Sequence, residues 1–459
     1  MADNVNVKDY VLKEMRLIAY NGRDYDISAL RGNLMIYEDI FGTPMTGELS
    51  VTDTMDLCTL FPFIGEEVLR VIFTKRIFTK RNPEKTSEES EELDPIILEF
   101  DVYKVTGRTI LQTKAQQYTF HLLSRESCNA YKNKVFKGWK HVKYSDMVKD
   151  VFNNYITDTT KPEQSRKKLI VEETSGEHNF CIGNKSPYEL INLFAARSIP
   201  SGSTNGKGHM PPYLFFETKT DFRYVSLDSL LLQEHTETYV RRIANMRNPE
   251  NYSKEVEKDI KRIEFIDWVG WYDTMRFLDM GFYGQELITV DSVLRKFNKY
   301  DFKINRDWDT FNKLEPEKVI SENSHLADSV MAHRKLISTN LGIESYNPEE
   351  HSLNLESYAL SRTAKLAQMF YTRFAISIPG DPRRNVGEVI KIELPEEAGD
   401  VDSNRPEKYN RYYYGNYLIT SLKHHISFTA YTIDLEVARD GFWQKIEHED
   451  PFERYKDTV

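Results

Sequence analysis

Hydrophobic and polar residues alternate along several short segments in the first quarter of the chain. The apolar positions are Leu49 and Val51, then Leu69, Val71 and Phe73, then Leu98, Phe100 and Val102, and finally Tyr118, Phe120 and Leu122. A side-chain period of two is typical of strands that bury one face of an antiparallel sheet. The pattern therefore predicts an antiparallel β-domain over residues 1–125.

An acidic segment interrupts these predicted strands. Residues 82–95, NPEKTSEESEELDP, contain six acidic residues and one lysine. Such a segment cannot bury enough apolar surface to order itself. We expect a long solvated hairpin loop that tolerates the deletion of residues 84–93.

Helical periodicity appears between residues 126 and 235, which predicts an α+β domain. Apolar residues from Val148 to Ile156 recur at helical spacing behind a candidate cap at Ser145. Ser186 and Glu189 form a capping-box pattern with Pro187 at the first helical position. The segments YLFFET (213–218) and FRYVSL (222–227) are typical of a hairpin.

Residues 236–354 form an irregular, mixed insertion. A helix is indicated over 242–265, and strands interrupted by Gly281 and Gly284 are indicated near 263–291. Residues 305–350 predict no particular element.

The final region, residues 355–459, begins with a predicted long helix over 355–374 and then resembles the first region. Phe374, Ile376 and Ile378 alternate with polar or small residues, as do Tyr431, Ile433, Leu435 and Val437. Both regions run in the same order: a Gly-Glu strand start (Gly65 or Gly387), a polar loop (82–95 or 396–410), a further glycine (Gly107 or Gly415), and a Tyr-Thr strand (Tyr118 or Tyr431). Any two antiparallel sheets could share this order of glycines, loops and strands, but a tandem of two related β-barrels also explains it.

Composition narrows the class of protein. A length of 459 residues suggests about three domains, and the formal charge of −10 argues against a dedicated nucleic-acid binder. The 27 Tyr and 25 Phe favour strands. Cys58, Cys128 and Cys181 are far apart, which indicates neither a disulfide framework nor a zinc site and suggests a reducing compartment. We expect no signal peptide and no membrane span.

None of the segments that suggest a catalytic or ligand-binding site has the complete pattern that such a site requires. The Gly202–Gly208 segment has the wrong spacing for a phosphate loop, and the Asp400–Asn404 segment lacks the glycine and glutamate of a calcium loop. His424 and His425 are neighbours on a predicted strand, so their rings point to opposite faces and cannot chelate one metal. With 71 carboxylates, an acid/base pair cannot be chosen from sequence. We assign no catalytic, cofactor-binding or metal-binding residue, and the interface residues stay unknown.

A resemblance to a known family rests on eight segments in order. They are GELSVTD (47–53), LFPFIGEEV (60–68), KSPYELI (185–191), YLFFET (213–218), FRYVSL (222–227), IPGDP (378–382), VGE (386–388) and GNYLITS (415–421). In these segments the chain resembles the central hub protein of contractile-tail phage baseplates, which is related to tail tube proteins. The implied fold is α+β and mainly β, with two tail-tube-like antiparallel β-barrel domains, an α+β domain and an irregular insertion.

The resemblance also implies an assembly. Three chains with two barrels each would form a ring of six, matching a six-fold tail tube on one face and a three-fold central spike on the other. The implied partners are tail tube, spike, and baseplate wedge or inner-baseplate proteins, in a virion baseplate assembled in the host cytoplasm. The loops at 82–95 and 396–410 would face different neighbours. Two alternatives stay open: the equivalent hub of a contractile injection or secretion system, and a carbohydrate-active tail enzyme.

Genomic DNA would cross this ring without being held by it. Lysine and arginine contacts to phosphate add salt-dependent affinity, so we expect a polar channel wall that is on balance acidic, with most basic residues outside. Thr432, Asp434 and Glu436 are predicted to form a polar face opposite buried Tyr431 and Ile433.

Overall fold

The computed structural model describes most of the chain. The described residues are 7–60, 62–80, 89–112, 115–158, 166–201, 211–241, 259–270, 272–292, 295–321, 324–327, 333–339, 355–395, 409–410 and 412–445. Their architecture is mainly β, as the sequence predicts.

The first region is built from strands with one buried face. They are β1 (Val11–Ile18), β2 (Asp24–Asp26), β3 (Arg31–Asp39), β4 (Thr46–Asp53), β5 (Val68–Thr74), β6 (Arg76–Lys80), β7 (Glu89–Glu92), β8 (Ile96–Gln112) and β9 (Ala115–Ser124), with helix α1 (Leu57–Leu60) after β4. The residues predicted to face inward are buried, and Leu49, Val51 and Phe120 have no exposed surface. The predicted antiparallel pattern is confirmed.

The acidic segment is more ordered than predicted. Residues 89–92 form β7, which pairs antiparallel with β6, while residues 81–88 lie outside the described part. Strands β5 and β8, which flank this strand pair along the chain, also pair antiparallel. The Leu93 amide also donates to the Lys75 carbonyl at 3.0 Å. A deletion of residues 84–93 would therefore remove a strand as well as a loop.

The middle unit, residues 125–231, combines helices with small sheets. It contains α2 (Arg125–Lys132), β10 (Val135–Val142), α3 (Tyr144–Val151) followed by a π-helical turn (Phe152–Ile156), β11 (Lys168–Val171), β12 (His178–Lys185), α4 (Pro187–Arg197), β13 (Tyr213–Glu217), β14 (Asp221–Ser226) and α5 (Leu227–Leu231). The capping box at Ser186 and the hairpin of β13 and β14 are confirmed. Ser145 is not the cap: the helix starts one residue earlier, after Lys143, and the Ser145 amide instead donates to Thr174 Oγ1.

In the insertion, the prediction of adjacent strands near 263–291 is wrong. It contains β15 (Thr238–Val240), β16 (Phe265–Gly270), α6 (Thr274–Met280), β17 (Gly284–Asp291), β18 (Lys296–Lys303), α7 (Ile304–Asp307) with a 3-10 turn (Trp308–Thr310), and β19 (Arg334–Thr339). A helix separates the two strands predicted near 263–291, because Gly281 at φ 76° is the C-cap of α6 and not an interruption within a strand. The helix predicted over 242–265 falls mostly outside the described residues.

The last region follows its predicted pattern. Helix α8 (Leu355–Met369) ends earlier than predicted and leads into β20 (Thr372–Pro379), β21 (Val389–Glu393), β22 (Gly415–Ile426) and β23 (Tyr431–Arg439). In β23, Tyr431, Ile433, Leu435 and Val437 are buried while the residues between them are half-buried. Residues 396–408 of the second polar loop lie outside the described part.

One sheet joins the two ends of the chain. Its 13 described strands run in the order β16-β20-β23-β22-β3-β4-β9-β8-β5-β1-β2, with β21 and β15 branching from β22. We call β1–β5, β8 and β9 the N-terminal β-unit, and β15, β16 and β20–β23 the C-terminal β-unit. A single hydrophobic core runs through both units, while the middle unit and the insertion with α8 have cores of their own. The domain limits at residues 125, 235 and 354 stay predictions.

Candidate functional site

The described residues contain no group suited to metal chemistry. No set of three or more His, Cys, Asp or Glu side chains within the described ranges could hold a metal ion. His424 is buried and His425 is half-buried on the opposite face of β22, as predicted. The segments Gly202–Gly208 and Asp400–Asn404 lie outside the described residues. The described helices also include none long and apolar enough to cross a bilayer.

The most distinctive feature is the joint between the two β-units. Residues 34–39 of β3 pair antiparallel with residues 421–426 of β22, without a break in register. Four apolar side chains along this joint are buried: Leu34, Ile36, Leu422 and Ile426. We call this contact the β3–β22 joint. It makes the two β-units one continuous sheet.

A buried polar cluster lies at the centre of the β3–β22 joint. His424 Nε2 lies 3.3 Å from Glu38 Oε1, and His424 Nδ1 lies 2.8 Å from the Tyr431 hydroxyl. An ionised carboxylate can only accept, so Nε2–H donates to Glu38 and Tyr431 O–H donates to Nδ1. Burial lowers the pKa of His424, which favours this neutral form. Burial also raises the pKa of Tyr431 well above its usual value.

The middle unit supplies the positive charge of this cluster. Lys219, on the turn between β13 and β14, has its Nζ 4.0 Å from Glu38 Oε1 and both side chains are almost completely buried. Lys219 also donates to Asn385 Oδ1 at 2.8 Å and to the Arg384 carbonyl. Burial by itself would raise the pKa of Glu38, but the charge of Lys219 and the His424 hydrogen bond outweigh it and lower that pKa. Three parts of the chain therefore meet at one ion pair.

A second buried carboxylate fastens the middle unit to the N-terminal β-unit. Glu217 Oε2 accepts hydrogen bonds from the Met45 amide at 2.9 Å and from the hydroxyls of Ser124 and Ser127 at 2.7 and 2.8 Å. Its other oxygen accepts from Lys167 Nζ at 2.8 Å. A buried carboxylate with this many donors is well compensated. It fixes the position of the turn that carries Lys219.

A third buried group fastens the insertion to the C-terminal β-unit. Asp440 accepts from the Leu314 amide at 3.0 Å, and burial raises its pKa. Arg439 has no exposed surface and donates to the Tyr417 hydroxyl at 3.0 Å. Nearby Glu315 has a pKa raised to about 7, chiefly by burial. Together with the contacts of Glu38 and Glu217, these contacts fix the positions of the two β-units and therefore of their outer strands.

Two strand edges of the large sheet carry exposed apolar side chains. Strand β16 pairs with β20 alone among the described strands, and Phe265 is 60% exposed while Trp268 and Val269 are also exposed. The half of β8 beyond Val102 pairs with β9 on one edge, and no described strand covers its other edge. Tyr103 on this half is 55% exposed. Exposed edges of this kind invite pairing with another chain.

Sequence inspection missed these surfaces. The sequence alone predicts no interface residue, and it predicts no role for the buried charges Glu38, Lys219 and Glu217. One signal was present: FIDWV in β16 places apolar residues on both faces of an edge strand, which is unusual unless both faces become covered.

Comparisons with known proteins bear on the fold. No protein-family model matches the sequence, and no curated protein matches it. The tail protein from Neisseria meningitidis MC58 aligns with a TM-score of 0.51 at 9% identity, over 95% of this chain and 98% of that protein. The 43 kDa tail protein of prophage MuSo2 from Shewanella oneidensis aligns with a TM-score of 0.49 at 10% identity, over 94% and 99% of the two chains.

A third solved structure is more distant. The E. coli c3393 protein, a component of the type VI secretion system, aligns with a TM-score of 0.39 at 8% identity, over 94% of this chain and 76% of that one. The assignment of fold rests on the Neisseria protein, because the alignment covers 98% of its length. The predicted resemblance to a tail protein is thus confirmed at the level of fold: this chain has the fold of the Neisseria tail protein.

Proposed function

We propose that this protein is a structural hub of a contractile-tail baseplate, which assembles as a trimer and connects a six-fold tail tube to a three-fold spike. The observation that carries the proposal is the β3–β22 joint, in a chain with the fold of the Neisseria tail protein. It places two β-units side by side in one sheet, so three chains supply six units around a ring. In that ring, genomic DNA passes through the central channel.

The proposal includes partners on both faces of the ring. Tail tube proteins bind the six-fold face, the spike binds the three-fold face, and baseplate wedge or inner-baseplate proteins bind the periphery. The polar loops at 82–95 and 396–410 contact different neighbours, because they differ in length and charge although they follow corresponding strands. The setting is the baseplate of a virion assembled in the host cytoplasm.

The mass of the purified protein in solution tests this proposal. We expect a species of about three times the 53.8 kDa chain mass, measured by native mass spectrometry and by light scattering after size exclusion. A ring of six chains would contradict the proposal that one chain supplies two units. A strict monomer, alone and with tube or spike components added, would contradict the hub function.

The alternative setting is a contractile injection or secretion system, in which the same ring would sit between tube and spike. Neighbouring genes distinguish the two settings: capsid and terminase genes nearby indicate a phage. The enzyme alternative predicts digestion of peptidoglycan or polysaccharide by the purified protein, and we expect none.

A further inference from the structure

The two β-units share one strand order. In the N-terminal β-unit, neighbouring strands run β5-β8-β9-β4-β3, and in the C-terminal β-unit they run β21-β22-β23-β20-β16, all antiparallel. The corresponding strands also follow one another in the same order along the chain. They are therefore β3 and β16, β4 and β20, β5 and β21, β8 and β22, and β9 and β23. Gly107 and Gly415 are not equivalent positions of the two units, although the sequence predicts that they are, because Gly107 lies late in β8 while Gly415 begins β22.

The strand registers extend this correspondence to single residues. Tyr118 and Tyr431 align β9 with β23, and the registers then carry the alignment across each unit. The corresponding positions are Met35 and Phe265, Ile36 and Ile266, and Tyr37 and Asp267 on β3 and β16, and Lys423 and Lys104, His424 and Val105, and His425 and Thr106 on β22 and β8.

The correspondence fails at one place, which is the outer edges. Within the chain, β3 covers the outer edge of β22. The equivalent edge of β8, beyond Val102, has no described partner strand, and neither does the outer edge of β16, the equivalent of β3. Each chain therefore contains one paired joint, β3 with β22. It also has two strand edges, on β8 and on β16, that correspond to the two sides of that joint and have no described partner strand.

We propose that β16 of one chain pairs antiparallel with the second half of β8 of another copy, in the register of the β3–β22 joint. This places Asp267 opposite the Lys104 of the next chain, Ile266 opposite Val105, and Phe265 opposite Thr106. The pairing rests on the proposed function, because a closed ring needs a joint between chains for every joint within one. It deepens that function by naming the surface through which copies bind.

Charge and exposure support this register. Asp267 and Lys104 are both exposed, and no residue in the described ranges forms an ion pair with either. A register shifted by one residue would place Asp267 opposite Val105 or Tyr103. The pairing would also cover the exposed apolar side chains of Phe265 and Tyr103, which water contacts in the isolated chain.

Cysteine cross-linking tests the pairing directly. In a variant whose three native cysteines are replaced by serine, Asp267→Cys with Lys104→Cys should form disulfides between chains on mild oxidation. A non-reducing gel should then show covalent dimers and trimers. The matched control is Asp267→Cys with Arg108→Cys, which lies four residues further along β8 and beyond bridging distance. Equal cross-linking in the control would overturn the register.

A charge exchange supplies an independent measurement. Asp267→Lys should weaken trimer formation by about tenfold or more, because two lysines would then face each other across the joint. Adding Lys104→Asp to that variant should restore most of the lost affinity. Glu177→Lys, which changes an exposed acid in the middle unit, should leave the trimer unchanged.

The outcomes separate this pairing from the hub function. A trimer that forms without the expected cross-link, and that is indifferent to both charge changes, overturns the pairing and leaves the hub function standing. A native protein that stays monomeric overturns both. A cross-linked trimer with restoration by the exchanged charges supports both.

Discussion

Stability at the β3–β22 joint depends on a few buried charges. Lys219 and Glu38 are buried together, and a buried charge that loses its partner is strongly destabilising. Replacing Lys219 with methionine should therefore lower the free energy of unfolding by about 3–5 kcal/mol. Urea denaturation followed by intrinsic fluorescence measures the change.

A surface lysine provides the control for this variant. Lys423 pairs with Asp434 at 2.6 Å, but both side chains are partly exposed, and such pairs contribute about 0–1 kcal/mol. Lys423→Met should thus change stability little. The double change Lys219→Met with Glu38→Leu should recover part of the loss, because no unpaired carboxylate is left. Equal losses for Lys219→Met and Lys423→Met would contradict the buried-pair interpretation.

His424 should make the fold sensitive to acid. Its pKa in the fold is lowered, chiefly by burial, although Glu38 opposes the shift and Lys219 adds to it. The unfolded chain therefore takes up a proton near pH 6.5, where the folded chain does not, and stability is present above about pH 6.5 and lost as the pH falls below it.

The variant His424→Gln isolates this effect. Between pH 6.5 and 5 the native protein should lose up to about 1.4 kcal/mol per pH unit more than the variant does. Unfolding midpoints measured at each pH give the two slopes. Parallel slopes would show that other groups account for the acid sensitivity. Glu38, whose pKa is also lowered, should contribute at lower pH than His424.

Among the elements, α4 is the one whose start is fixed most clearly by local chemistry. The Ser186 hydroxyl accepts from the Glu189 amide at 3.2 Å, and the Glu189 carboxylate accepts from the Ser186 amide at 3.1 Å. Ser186→Ala should lower the free energy of unfolding by about 1 kcal/mol, because a helix amide loses its acceptor. Glu189→Gln keeps an acceptor at the same place, so denaturant titration should show a smaller loss.

Local patterns also explain which elements the sequence could predict. Alternation predicts β4, β5, β9 and β23, because each buries one face and leaves the other mostly half-buried. It failed at α6, where Gly281 ends a helix of seven residues too short to show periodicity. It also failed at β7, which pairs with β6 in a separate two-stranded sheet although its sequence is acidic and lacks an alternating pattern.

The functional surfaces were less predictable for a related reason. The β3–β22 joint connects residues nearly 400 positions apart, as in the contact of Glu38 with His424. No local period encodes such a contact, and neither Glu38 nor Lys219 differs in sequence from an ordinary surface charge. The repeat was visible in sequence, but the strand registers were needed to show which edges correspond.

For the whole molecule, charge leads to a prediction about DNA. The chain carries a formal charge of −10, and the predicted polar face of β23 is half-buried, which is less exposed than a solvent-side face would be. Basic residues neutralise part of that face, since Arg373 pairs with Glu436 at 3.0 Å and Lys423 pairs with Asp434. We expect the purified protein to bind duplex DNA no more tightly than a non-specific acidic protein at 150 mM salt.

Fluorescence anisotropy with a labelled duplex measures this affinity. Submicromolar binding at that salt concentration would contradict a channel that lets DNA slide. The same measurement repeated from low salt up to 150 mM salt gives the slope of log affinity against log salt concentration. That slope reports how many phosphate contacts form.

The β3–β22 joint also determines how such a ring would respond to force. Because β22 belongs to one unit and is paired along its outer edge by the other, pulling the two units apart along the strands loads all of its hydrogen bonds together in shear. The joint between copies would have the same strand geometry, but it would lack the shared hydrophobic core and the Lys219 contacts that hold the two units together within a chain. A ring of this design has alternating strong and weak seams, and under a torque or an outward load it would open at every second seam. It would then separate into whole chains, with each pair of β-units still intact.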